Sequence, residues 1–323
     1  MTGERPERWT AVLNPAAGRG RGPARLARVR DALAVSGLDV TTHVSSSMED
    51  LAAMARAAFD RGHGVIACGG DGTAGVVAGL AADHDGVLAL VPTGSGNDLA
   101  RHLALPHHDI AAAVDIVVRG DVAHVDLGEA ETADGSTTWF TTVAGTGFDA
   151  EANRWANTQD RLTGTPLYVL AVLRTLRTYV PQPVRLTVDG EVLETEAWLV
   201  AVANTRTYAG GMLIAPAASM HDGLLDVCVV GPVSRAGFLR AFPGVFRGTH
   251  LRHPLITMQR GRDVTIELGN VPGRAGDRSV AAHLPELWAS GERVGALPAR
   301  LTARPGALRV VVAAARPAGD RLT

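Results

Sequence analysis

Gly69-Gly70-Asp71-Gly72-Thr73 ends a short apolar run that begins at Val65, and a helical pattern of small residues follows it. Paired glycines ahead of a carboxylate let the backbone turn tightly and present successive N–H groups to a ligand. The positive end of the following helix would point at the same place, a combination that suits phosphate. A carboxylate beside phosphates calls for a divalent cation between them, which makes Asp71 a candidate for holding a hard metal. The same residues also read as an ordinary Gly-Asp-Gly turn capping a helix. A second glycine loop, Pro92-Thr93-Gly94-Ser95-Gly96-Asn97-Asp98, follows the next apolar run, with Asn97 or Asp98 available to cap the helix after it. A third, Asn14-Pro15-Ala16-Ala17-Gly18, is compatible with a phosphate or ribose contact and equally with a plain turn.

Such loops need elements to hold them. Thr10 to Leu13 reads as a strand, and Ala24 to Ser36 carries Leu26, Val29 and Leu33 at helical spacing before Gly37 stops it. Leu38 to Val44 reads as a strand, and Ser45-Ser46-Ser47 ahead of Glu49 and Asp50 offers a cap for a helix running to Phe59. Gly62 and Gly64 precede the Val65 strand; Thr73 to Ala82 is helical and Val87 to Val91 is another strand. Alternation of short strands with longer helices predicts βαβ units and a parallel sheet. Ligands of such sheets bind at the carboxyl ends of strands, so Asn14, Ser45, Asp71 and the loop after Val91 should share one edge.

From about Val122 the pattern changes to short strands: Val122 to Leu127, Trp139 to Val143, Val184 to Val188, Glu196 to Val202, Leu224 to Val230 and Val264 to Leu268. Asp189-Gly190 and Asp222-Gly223 read as turns joining neighbouring runs, which predicts an antiparallel sandwich. Two helical stretches interrupt it, Pro166 to Tyr179 and Arg235 to Arg247. The second carries Phe238, Leu239, Phe242, Val245 and Phe246 among arginines and could offer an aromatic face to lipid, with Arg240, Arg247 and Arg252 toward head groups, or pack on the sandwich. The expected organisation is an α/β nucleotide-binding domain over residues 1–121, a β-sandwich over 122–300, and a segment, 301–323, returning to the first domain.

The chain has 323 residues, 46% hydrophobic and 20% charged, the composition of a globular enzyme with two domains. A net charge of −2 gives no general attraction to nucleic acid or to an anionic membrane. Its two cysteines, Cys68 and Cys228, lack CxxC spacing and read as small core residues in a reducing compartment. Neither a signal peptide nor a run of about 20 apolar residues is visible, so a cytoplasmic location is expected. Every one of the 31 basic residues is arginine. A Walker-A lysine, a protein-kinase strand lysine and Schiff-base chemistry are thereby excluded.

GGDGT at 69–73 followed by PTGSGNDLARHL at 92–103 resembles the catalytic domain of the diacylglycerol kinase, sphingosine kinase and bacterial lipid kinase family, whose nucleotide domain is similar to those of NAD kinases and 6-phosphofructokinases. Further along, NTRTYAGGMLIAPAASMHDGLLDV at 204–227, Ser290-Gly291-Glu292, Pro298 and Arg304-Pro305-Gly306-Ala307-Leu308 resemble later segments of that family. The resemblance implies a doubly wound α/β nucleotide domain and an antiparallel β-sandwich. It also implies transfer of the γ-phosphoryl group of ATP to the hydroxyl of diacylglycerol or a related lipid alcohol, with Mg²⁺ as cofactor. Carried over residue by residue, Asn14, Pro15, Ala16, Ala17, Gly18, Ser45, Gly69, Gly70, Asp71, Gly72, Thr73, Ala74, Gly75, Val76, Ser95 and Asn97 line the nucleotide site. Asp71 holds the catalytic magnesium directly or through water, Asp98 and Asp126 belong to the surrounding acidic network, and Glu292 is the general base. A second, structural magnesium would take the Asp222 carboxylate and the carbonyls of Ser219 and Leu224, oxygen donors that suit a hard cation.

Two departures stand out. Ala74-Gly75-Val76 replaces a polar residue and a glutamate after GGDGT, and Ser290 replaces an aspartate before Gly291-Glu292. They leave room for a weakened or divergent kinase and for a nucleotide-binding regulator with lost turnover. The rival among enzymes is an NAD-kinase-like one, which PTGSGNDLAR, the YAGGM … HDGLLDV run and the Glu292 segment resemble less closely than they do lipid kinases. Because a two-chain lipid cannot be drawn wholly into water at roughly 0.8 kcal/mol per CH₂, a lipid kinase must also meet the membrane surface transiently. Oligomeric state is left open, a homodimer included.

Overall fold

The computed structural model describes residues 4–17, 22–156, 158, 165–269 and 285–314. Among them the chain forms two compact units, Met1–Val125 with Gly306–Thr323, and Asp126–Pro305.

The first unit alternates strands and helices: β1 (Arg8–Leu13), α1 (Gly22–Ala34), β2 (Asp39–Val44), α2 (Met48–Phe59), β3 (Gly64–Gly69), α3 (Asp71–Asp83), β4 (Val87–Pro92), α4 (Asp98–His102) and α5 (Ile110–Arg119). Strand β5 (Asp121–Thr132) leads into the second unit. The strands pair in parallel in the order β2-β1-β3-β4, with Arg309 and Val310 of the chain's last strand added beside Val87 and Leu88. Strand alternation decides what lies on each face. Trp9, Ala11 and Leu13 of β1 pack with Leu26, Val29 and Leu33 of α1 and with Ile110, Val114 and Val117 of α5. On the opposite face α2 and α3 pack on β1 and β3, burying Leu51, Ala55, Phe59 and Val77. The Ser47 hydroxyl accepts from Asp50 N–H at 3.1 Å and caps α2, so the last of the three serines is the one that starts the helix.

The second unit holds β6 (Thr137–Phe140), β7 (Val143–Gly147), α6 (Phe148–Ala156), α7 (Thr165–Thr178), β8 (Gln182–Val188), β9 (Glu191–Ala197), β10 (Leu199–Ala203), β11 (Leu225–Val230), α8 (Arg235–Ala241), β12 (Ile256–Gly261), β13 (Asp263–Leu268), β14 (Glu286–Ala289) and β15 (Glu292–Ala296). Strand β16 (Ala299–Val312) then returns to the first unit. One antiparallel sheet runs β12-β11-β10-β7-β14-β15. The other strands pair antiparallel as β16-β13-β8-β9 and β5-β6.

Every side chain of β10 and β11 is buried, which their opposite faces explain. Val200, Val202, Val227 and Val229 meet Val184, Leu186, Val264 and Ile266 in the core of the sandwich. Leu199, Ala201, Cys228 and Val230 meet Phe148, Val172, Leu176 and Phe238 from the helices over the outer face. Asp189-Gly190 forms the two-residue hairpin between β8 and β9, both with positive φ (46° and 91°).

Three expectations are corrected. The run from Glu196 to Val202 is two strands, because the chain passes from one sheet to the other at Trp198. Strand β9 pairs with β8, whereas Trp198 N–H already donates to Val230 O at 2.7 Å beside β10, its ring buried and its indole N–H donating to Val233 O at 2.8 Å. The helix expected to reach Arg247 ends at Ala241 and continues as 3-10 turns, Phe242–Arg247 and Thr249–Arg252, because Pro243 has no N–H to give the α-helical ladder. Asp222-Gly223 is not a hairpin turn, since β11 pairs with β10 and β12 rather than with the segment before it. Among the described residues no helix is long and apolar enough to cross a membrane.

Candidate functional site

In the first unit β1 has β2 on one side and β3 on the other, so the strand order reverses between the loops after β1 and β3. Such a switch point opens a crevice at the carboxyl ends of the strands. Asn14 sits there after β1: its backbone N–H donates to Cys68 O at 3.0 Å and its Nδ2 to Thr73 Oγ1 at 2.9 Å. Asn14 Oδ1 accepts from Ala16 N–H at 3.0 Å, which orders the start of the loop through exposed Pro15 and Ala16 and half-buried Ala17. Gly18 lies outside the described residues. Ser45 closes the end of β2, its N–H and hydroxyl both donating to Leu13 O at 2.9 and 3.2 Å.

The loops after β3 and β4 are built as a pair. Thr93 N–H and Gly94 N–H donate to Gly69 O at 2.8 and 3.2 Å. A side chain at Gly94 would run into the Gly70 backbone, so this approach needs glycine. Both oxygens of Asp71 are engaged across the pair: Oδ2 accepts from Asn97 N–H at 2.7 Å and Oδ1 from Asp98 N–H at 2.6 Å. The carboxylate therefore sits on the N-terminus of α4. Asn97 takes φ 55°, a left-handed conformation that asparagine tolerates, and its Nδ2 donates to Gly94 O at 3.0 Å. Expected as cap residues, Asn97 and Asp98 show no side-chain capping bond by Asn97; Asp71 performs that task from another element.

Burial foremost, and then the neighbouring Asp98, push the Asp71 carboxyl above its ordinary range, while the amides of Asp98, Asn97 and Leu99 oppose that shift. Asp98 is itself buried. On α3, Thr73 and Ala74 face the core, whereas Gly72 and Gly75 have open space where a side chain would stand. Ser95 is exposed on the same loop edge. Arg25 of α1 reaches this edge, its Nη1 donating to Thr93 O at 2.6 Å, and Arg101 Nε donates to Gly96 O at 2.8 Å. Sequence reasoning passed over both, because nothing in the sequence distinguishes them among 31 arginines.

The remaining candidates lie in the second unit. Ser290-Gly291 is a two-residue hairpin with φ 53° and 84°, and exposed Glu292 opens β15 directly after it. Asp126 is buried, and its Oδ2 accepts from Gly223 N–H at 2.7 Å, fixing the turn that carries Asp222. Asp222 Oδ1 accepts from Leu224 N–H at 3.1 Å, and its Oδ2 lies 3.8 Å from Arg260 Nη1. The hydroxyl of Ser219 in the same turn accepts from His221 N–H at 3.2 Å.

The same unit contains an apolar cavity of about 60 Å³ between the outer sheet face and the helical layer. Phe148, Leu199, Tyr208, Met212, Phe238 and Phe242 are among its walls. Tyr208 and Met212 reach it through a tight turn, Ala209-Gly210-Gly211 with φ 48°, 84° and 111°. That turn gives the Tyr-Ala-Gly-Gly-Met run a physical reason.

Residues 8–130 match the diacylglycerol kinase catalytic domain, and residues 142–312 match the YegS C-terminal NAD kinase beta sandwich-like domain. A diacylglycerol kinase of Mycobacterium tuberculosis (strain H37Rv) is 34% identical over 304 residues, 94% of each chain. One of Bacillus subtilis (strain 168) is 29% identical over 269 residues, 81% of this chain and 86% of that one. In fold alone, the crystal structure of a putative diacylglycerol kinase from Bacillus anthracis str. Sterne superposes with a TM-score of 0.76 at 24% identity, covering 96% of this chain and 99% of that one. Matched over both units and at this identity to a relative covered almost end to end, the chain belongs to the diacylglycerol kinase catalytic-domain family.

Proposed function

We propose that the protein is an ATP-dependent lipid kinase that moves the γ-phosphoryl group of ATP to the hydroxyl of diacylglycerol or a closely related lipid alcohol. The observation that carries this reading is the paired glycine loops at the switch point, where nothing among the described residues fills the space that side chains at Gly72 and Gly75 would take. Phosphate oxygens on the first turn of α3 would use that space and the positive end of the helix. Asn14 to Ala17, Ser45, Gly69 to Val76, Ser95 and Asn97 would line the nucleotide. With no lysine in the chain, Arg25 and Arg101 are cations on this edge among the described residues.

Magnesium fits the donors present. Asp71 and Asp98 are close enough for repulsion to raise the Asp71 pKa, and a carboxylate oxygen that accepts one N–H keeps a second lone pair for a hard cation or its water. When bound, the ion neutralises charge on the phosphates during transfer. Glu292 would take the proton from the acceptor hydroxyl, and its exposure at a hairpin leaves it reachable. At the Asp222 turn one carboxylate and two carbonyls also suit a hard cation, with Arg260 supplying the counter-charge in this structure. The apolar cavity suits part of an acyl chain, which favours a lipid acceptor over NAD.

The test is phosphoryl transfer from labelled ATP with Mg²⁺ to diacylglycerol, monoacylglycerol, sphingosine and NAD, the lipids in mixed micelles. Product with a glycerolipid, and at least a hundredfold loss in Glu292→Gln with ATP binding retained, is the expected result. Product with NAD alone would replace the reading. Tight ATP binding without any product would make the protein a nucleotide-binding regulator, in line with Val76 and Ser290.

A further inference from the structure

Between Asp226 and Asp263 the chain contains no acidic residue but six arginines, at 235, 240, 247, 252, 260 and 262, although the whole chain carries a net charge of −2. Arg260 is committed to Asp226 at 3.0 Å, and Arg235 reaches Tyr179 O at 3.4 Å. Arg240, Arg247 and Arg252 are exposed. They lie on α8 and the two 3-10 turns, elements that pack on one another in succession.

This segment has two apolar faces. The inner one places Phe238, Phe242 and Val245 on the cavity wall. The outer one leaves Leu239 44%, Phe246 51% and Leu255 42% exposed. A row of rings joins them: Phe238 lies 4.8 Å from Phe148, Phe242 is 6.1 Å from Phe238, and Phe246 is 6.3 Å from Phe242. Burying all three phenylalanines inward would be the ordinary outcome for a soluble helix, and the sequence does that with only two of them.

We infer that residues 235–255 are the membrane-docking face, seating Leu239, Phe246 and Leu255 among the acyl chains of an anionic bilayer with Arg240, Arg247 and Arg252 at the phosphate level. Anionic lipid is the occupant that matches an acid-free arginine set beside exposed aliphatic and aromatic side chains. A second copy of this chain would bring the same positive charges against themselves, and the segment itself has no carboxylate to answer them. The row of phenylalanines then leads from the bilayer side of the segment to the cavity. The assignment rests on the lipid-kinase reading for its purpose, but not for its measurement.

Flotation of the full chain with phosphatidylglycerol/phosphatidylcholine vesicles, against pure phosphatidylcholine, reads docking without turnover. Each arginine near an anionic surface contributes roughly fivefold, so Arg240→Gln/Arg247→Gln/Arg252→Gln should weaken binding on the order of 100-fold and flatten its salt dependence. The corresponding triple lysine variant should restore it. Leu239→Ser/Phe246→Ser should lose vesicles at all salt concentrations while melting as the parent does. Unchanged flotation in both sets would overturn the assignment, as would unchanged flotation accompanied by a dimer-to-monomer shift in sedimentation. A water-soluble short-chain diacylglycerol keeps the two readings apart. Variants that phosphorylate it normally yet no longer float support docking. A parent chain that phosphorylates nothing yet floats only with these residues intact upholds docking and removes the kinase reading alone.

Discussion

Both oxygens of Asp71 accept amides of the neighbouring loop, at 2.7 and 2.6 Å. An asparagine there would turn an NH₂ toward a backbone N–H, so Asp71→Asn should cost about 1–3 kcal/mol of stability besides removing charge from the proposed phosphate site. Denaturation without nucleotide checks this, and parent-like stability would reduce Asp71 to a metal ligand only. Its acid–base behaviour follows from burial and from Asp98, which raise its pKa. The folded state thus takes up that proton more readily than the unfolded chain, so its contribution to stability is fullest below the unfolded value and is lost as pH rises through the folded value. A bound cation works in the opposite direction. Mg²⁺-dependent ATP affinity should therefore fall as pH drops through the raised value, and Asp98→Asn should move the inflection to lower pH, which ATP titration with Mg²⁺ across pH would detect. The loops of the candidate site were legible in their glycines and Asp71, because backbone turns announce themselves locally. Arg25 was not, since its contact crosses from α1 to the loop after β4.

At the scale of elements, the strands and helices of the first unit from β1 to β4 were legible because each carries its own period, but α5 (Ile110–Arg119) was passed over, and the helical layer of the second unit was misread where one residue outvotes the pattern. Pro243 ends α8 against the run of aromatic residues, and Trp198 divides what reads as one strand. Strands β14 to β16 escaped notice because their partners lie far off in sequence, as with Thr302 opposite Asp263. The 3-10 turns beyond α8 are tied to the unit by His250, which is buried and whose Nε2 donates to Ile214 O at 3.3 Å. Burial holds the ring below its ordinary value of 6.5, against the pull of the Ile214 and Gly244 carbonyls. With the folded pKa depressed, the stability this histidine supplies is present above pH 6.5 and is lost as pH falls through the folded value. Urea midpoints measured from pH 8 down to pH 5 should fall in the parent and flatten in His250→Gln. A parallel decline in both would assign the acid sensitivity elsewhere.

For the whole molecule, the consequence that matters most is that the first unit, which carries the candidate nucleotide site, is not a contiguous piece of chain. Its parallel sheet is completed by residues that follow the entire second unit: Arg309 and Val310 pair with Val87 and Leu88 of β4. Leu308, Val310 and Val311 are fully buried there, and Arg309 donates to Asp85 O and Glu4 O at 2.8 and 3.0 Å. Removing those residues would bare the β4 edge and withdraw three core side chains, each contributing about 1.5–3 kcal/mol. That sum rivals the total stability of an ordinary domain, commonly 5–15 kcal/mol. A fragment of residues 1–125 should accordingly lack a cooperative thermal transition and fail to bind a fluorescent ATP analogue, although every glycine loop of the site lies within it. Joining residues 303–314 to the fragment through a flexible linker should restore both properties. Cooperative unfolding and nucleotide binding by 1–125 alone would mean that the β1–β4 sheet sustains itself, and that the last strand serves the second unit instead.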